Sequence, residues 1–97
     1  MSFIQIIDCH TEKFDEMQKA ARDWEEATQD RRTVRRQILT RDRNDPDHYM
    51  IIVFFDTFES AMENSRLPET AEIASKLGSL TSRLPNFYDL DIVDDRT

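Results

Sequence analysis

Few side chains in this sequence combine reactivity with a setting that suggests use. His48 heads the apolar run HYMIIVFF at 48–55 and is the candidate for a general base, because an unperturbed imidazole titrates near neutral pH. Tyr49 beside it, and Tyr88 further along, could hydrogen-bond a phenolic ligand, while Trp24, the sole tryptophan, could wall a flat aromatic one. Arg36 and Gln5 are the polar residues placed within strand-like segments to point at a covered face, lining a cavity or reaching to its rim. Each candidate has a plain structural alternative: Trp24 as core, His48 as a partly exposed strand start after a polar turn, the tyrosines as core-edge residues with wet hydroxyls.

No catalytic constellation emerges from these residues. The chain has no Gly-rich phosphate loop, no nucleotide motif and no local Ser-His-Asp arrangement. His10 and His48 are distant along the chain, and His10 reads as a surface residue near the start of the first helix. Carboxylates at helical surface spacing form no recognisable ligand set, and Asp56 and Glu59 read as a capping pair, so neither a metal nor a cofactor is expected.

Composition narrows the partners. With 20 acidic against 13 basic residues the net charge is −7, and the arginines Arg31, Arg32, Arg35, Arg36, Arg41 and Arg43 lack interleaved aromatics, so neither a nucleic acid nor an anionic membrane is an expected partner. One cysteine, Cys9, rules out an internal disulfide, and the apolar run at 49–55 is too short to span a bilayer, which together point to a cytoplasmic protein. Ninety-seven residues suit one domain, 1–97, sharing one core.

The elements that must position the candidates follow from periodicity. Residues 2–9 read as a strand with Phe3, Gln5, Ile7 and Cys9 on one face and Ile4, Ile6 and Asp8 on the other. Phe14, Met17, Ala21, Trp24 and Ala27 recur at helical spacing across 11–29, with Thr11 as the expected N-cap. A second strand is expected at 33–42, a turn at 43–47 and a third strand at 48–55. Residues 58–64 and a segment opening at Pro68 form a second helix broken at 65–67, with Ile73, Leu77 and Leu80 buried and Gly78 weakening its end. FYDLDIVD at 87–94 is the last strand.

This order, βαββαβ with right-handed crossovers, gives an α+β ferredoxin-like antiparallel sheet with helices on one face. The first and third strands, apolar on both faces, belong at its centre, and the charged second and fourth at its edges. The apolar side chains on the uncovered face then require a second sheet, and another copy of the chain supplies one: a homodimer through sheet faces.

The succession FIQIID, the helix with Phe14, Met17 and Trp24, the run MIIVFFDTFESAMENS, the segment LPETAEIASKL and the ending PNFYDLDIV resemble the antibiotic-biosynthesis-monooxygenase-like family of dimeric α/β barrels, with NSRLPET the most distinctive piece. The resemblance implies two ferredoxin-like subunits joined sheet to sheet, each with a pocket between helices and sheet. It implies a cofactor-free monooxygenase acting on a small aromatic or quinone-like compound, or alternatively a non-enzymatic dimer that binds a small apolar ligand or serves a structural role. The haem-degrading branch of such proteins uses an Asn on the first strand, a Trp on the third and a His on the second helical segment. This chain has Gln5 on the first strand, no Trp on the third and no His in 57–80, so haem degradation is not expected.

Overall fold

The computed structural model describes residues 2–97. The elements are β1 (Phe3–His10), α1 (Phe14–Thr28), β2 (Arg36–Arg41), β3 (His48–Phe55), α2 (Phe58–Ser65), α3 (Pro68–Leu80) and β4 (Asn86–Asp91). One antiparallel sheet runs β2-β3-β1-β4, so the two strands apolar on both faces are central and the two charged ones lie at the edges. The α+β ferredoxin-like fold is as the sequence predicts, and the second helix is broken as expected, at 66–67 rather than 65–67, since Ser65 still belongs to α2.

Side-chain parity divides the sheet. On β3 burial alternates strictly: Tyr49, Ile51, Val53 and Phe55 are buried, and the residues between them are half-exposed. The buried set joins Phe3 and Cys9 of β1 and meets Ala61 of α2, Met17 of α1 and Leu77 of α3, which makes this the helix-facing side. On the opposite side, cross-strand register aligns Ile4 with Phe54 and Leu90, Ile6 with Ile52 and Tyr88, and Ile38 with Ile52. Among the described residues no helix packs on that side, and Tyr88 and Leu90 there are 44% and 41% exposed.

Several local expectations are corrected. Thr11 does not cap α1: its Oγ1 accepts from the Lys13 N–H at 2.9 Å and donates to the Leu80 carbonyl at 2.6 Å, so this buried threonine ties the start of α1 to the end of α3. The α1 stripe is also rotated, with Ala20 and Thr28 buried and Ala27 exposed, and the buried Thr28 hydroxyl is satisfied by donating to the Trp24 carbonyl. At α2 the capping box is Thr57 with Ser60, and Asp56 instead pairs with Arg35 at 2.7 Å. β2 begins at Arg36 rather than 33, since Thr33 is committed to α2 through the Ser60 carbonyl and the Asn64 side chain.

Candidate functional site

Between α1, α3 and the helix-facing side of the sheet lies a cavity of about 150 Å³. Its floor is Ile7 of β1, Leu39 of β2 and Ile51 and Val53 of β3, and its roof is Met17 and Ala21 of α1 with Ile73, Ala74 and Leu77 of α3. Branched and unbranched apolar residues meet there because the sheet face and both helix stripes point inward at once. In apolar surroundings a void of this size accommodates about one benzene ring.

Trp24 forms one wall. Its indole Nε1–H donates to Thr70 Oγ1 at 3.0 Å, so the ring is held against α3 by a bond that joins α1 to the first turn of the facing helix. The polar lining consists of Gln5, Gln18, Gln37, Asn64 and Thr70. Gln5 donates from Nε2 to Asp89 Oδ1 at 3.0 Å, and Asn64 accepts from the Thr33 N–H at 3.3 Å. Among the described residues, every polar group that lines this cavity is an amide, an indole or a hydroxyl; none is an ionisable acid or base. The lining can donate hydrogen bonds to a carbonyl or phenolate but has no side chain that would remove a proton from carbon.

The sequence candidates are therefore divided. Trp24 and Gln5 line the cavity. Tyr49 is buried on the same side but stacks on Phe14, centroids 4.7 Å apart and planes 13° apart, and packs in the core beside the cavity. Arg36, expected to point at a covered face, sits exposed on the helix-free side with its guanidinium 5.6 Å from the Phe54 ring centre. His48 is also on that side, at the sheet's end, away from the cavity. Gln18, Gln37, Asn64 and Thr70 were not singled out from sequence; the alternation of Gln37 with Leu39 was the available signal for one of them.

His48 belongs to a second cluster. The register places His10 opposite His48, and their rings stack with centroids 4.3 Å apart and planes 5° apart. His10 thus closes β1 rather than opening α1. His48 Nδ1 lies 3.0 Å from Asp42 Oδ2 and Nε2 lies 2.6 Å from Asp8 Oδ1. Hydrogen bonds to Asp42 and then Asp8 raise the His48 pKa above its ordinary 6.5, and the Asn44 N–H together with His48 lowers that of Asp42. Burial, with the nearby Asp8 charge, pushes the Cys9 thiol up, so that side chain is an unreactive core residue.

Three of the six arginines grouped at 31–43 are held by hydrogen bonds within the chain. Arg31 holds Glu69 bidentately at 3.2 and 2.6 Å, Arg35 holds Asp56, and Arg32 donates to the Glu25 carbonyl. No helix among the described residues is long and apolar enough to cross a membrane.

Solved structures share this arrangement of elements. SnoaB, a cofactor-independent oxygenase from Streptomyces nogalater, superposes with a TM-score of 0.82 at 12% identity, over 97% of this chain and 95% of that one. A conserved protein from Methanosarcina mazei gives 0.81 at 12% identity over 93% and 91%. A protein named antibiotic biosynthesis monooxygenase gives 0.75 at 14% identity over 95% and 99%. No protein-family model and no curated protein matches the sequence. At these identities the likeness establishes the fold alone.

Proposed function

We propose that this chain is an antibiotic-biosynthesis-monooxygenase-like protein that binds a small, flat, neutral aromatic compound between α1, α3 and the sheet, and oxygenates it without a cofactor. The observation that carries the binding reading is the cavity: apolar floor and roof, the Trp24 ring as a wall, and amides at Gln5, Gln18, Gln37 and Asn64. The likeness in fold to SnoaB, named a cofactor-independent oxygenase, supports the reaction. The chemistry balances with no external reductant. A phenol and O₂ give a quinone and water: one oxygen atom enters the ring, and the other leaves as water with the two hydrogens that the phenol loses. With no ionisable base in the lining, the substrate must give up its proton readily, and the amide N–H groups stabilise the resulting oxyanion.

The size of the cavity favours a single-ring compound. We propose further that two copies pair through the helix-free side of the sheet, where Ile4, Ile6, Ile38, Met50, Ile52 and Phe54 would otherwise meet water.

The absence of an ionisable lining group also favours a second reading, a protein that binds such a ring without transforming it. Both readings are tested together. Phenol and benzoquinone should raise the thermal midpoint of the wild type and quench its sole tryptophan, and Ala21→Leu, which fills the cavity, should abolish both effects while the fold persists. Oxygen uptake with a substituted phenol that ionises near neutral pH, in the absence of added cofactor, supports the oxygenase; binding of that compound without uptake leaves the ligand-carrying reading. Failure of any small aromatic to bind would remove both.

A further inference from the structure

We propose that Asp8, His10 and His48 form a binding site for one divalent transition-metal ion of the zinc class. One donor atom from each lies within 4.8 Å of those of the other two, at the end of the sheet on its helix-free side. Backbone pairing builds the set: Asp8 and His10 share a face of β1 by two-residue alternation, and the register sets His48 of β3 opposite His10. Two imidazoles and a carboxylate suit a borderline ion such as Zn²⁺ and suit Mg²⁺ or Ca²⁺ poorly, because those prefer all-oxygen shells.

The surroundings fit the same role. Asp42 accepts from His48 Nδ1 at 3.0 Å, which fixes Nε2 as the atom that faces Asp8. A carboxylate behind a histidine is the usual support of a metal-ligating imidazole. Asp45 stands 3.8 Å from His10 Nε2 and adds negative charge beside the site. In the single chain the side chains of Asp8, His10 and His48 are each 20% exposed, open enough for an ion to enter and covered enough to hold it, and they lie at the end of the sheet rather than at the centre of the face proposed to pair.

Two adjustments accompany binding. Nε2 of His48 and Oδ1 of Asp8 are 2.6 Å apart, whereas donors at about 2.0–2.2 Å around a tetrahedral ion stand roughly 3.3 Å from each other, so the pair opens slightly and the ion takes the place of the proton between them. The stacked rings also hold their nitrogen lone pairs in two separate, nearly parallel planes, so one imidazole turns about its Cβ–Cγ bond to converge on the ion. Three protein donors leave the fourth position to water or an external anion.

The experiment uses the tag-free full chain after chelator treatment. Titration with Zn²⁺ should show one site per chain in the micromolar range or tighter, no response to Mg²⁺, and a loss of about tenfold or more in affinity for His10→Gln and for Asp8→Asn. In the unmutated chain, the ¹⁵N ring signals of both histidines should shift with one equivalent of Zn²⁺, a readout independent of whether a variant folds. Absent binding, unmoved ring signals, undiminished affinity in His10→Gln, equal competition by Mg²⁺, or a Co²⁺ spectrum with a thiolate band from Cys9 would each overturn the site.

Discussion

The indole N–H of Trp24 donates to the hydroxyl of Thr70 at 3.0 Å, and this bond couples the C-terminal half of α1 to the first turn of α3 in the wall of the cavity. Thr70→Val keeps the shape and removes the acceptor, leaving a half-buried N–H unpaired. The cost should be about 1 kcal/mol, read as a lower urea midpoint at unchanged m-value. Trp24→Leu, which loses the ring, should weaken phenol binding roughly 3- to 10-fold, measured by calorimetry because the variant has no tryptophan left to quench.

Ile52 lies at the centre of the helix-free side, in register with Ile6 and Ile38. Ile52→Asp places a charge where a partner sheet would cover it, so sedimentation should move from dimer to monomer while helix content persists. A wild type that already sediments as a monomer at low micromolar concentration would defeat the pairing proposal.

Arg31 and Glu69 form a bidentate pair that joins the chain after α1 to the first turn of α3. The hydrogen bonds from Arg31 hold the Glu69 carboxyl below its ordinary 4.5. A carboxyl lowered in the folded state contributes stability that is fully present above its unfolded pKa and is lost as pH falls through the folded value. The difference in urea midpoint between wild type and Glu69→Gln should therefore be constant from pH 7 down to about 5 and shrink to nothing at lower pH.

Gly78 occupies the last turn of α3, and a Cβ built there would meet nothing within 4 Å. No glycine in the chain has positive φ, so alanine at this position adds helix propensity without strain. Gly78→Ala should stabilise by about 0.5–1 kcal/mol, a rise of a few degrees in thermal midpoint, checked by calorimetric scanning.

How much was legible in the sequence depended on whether a feature is set by its own segment. The run at 48–55 marked β3 at its exact bounds because apolar side chains end abruptly at Asp56 and begin after a polar turn. The division of β1 into two faces was equally readable from alternation. Which face meets the helices was not, and so Arg36 and Gln5 could not be told apart, although they lie on opposite sides of the sheet. The pairing of His10 with His48 is a property of strand register, set by contacts that neither segment contains alone. Thr11 misled for the same reason: its residue type and position suit a cap, but the Leu80 carbonyl, brought near by the fold, outcompetes that role.

β1 hydrogen-bonds to β3 on one edge and to β4 on the other, and its partner across the second edge begins with Phe3 facing Asp91. During synthesis the β1 edge that β4 covers therefore stays open until residues 86–91 have left the ribosome, after α1, α2 and the β2–β3 hairpin have emerged. A nascent chain paused before that point carries a bare, Ile-rich strand edge, the kind of template on which stalled chains join one another. β4, exposed along its whole length and small in what it buries, thus acts as the closing seal that takes the open edge of a central strand out of circulation.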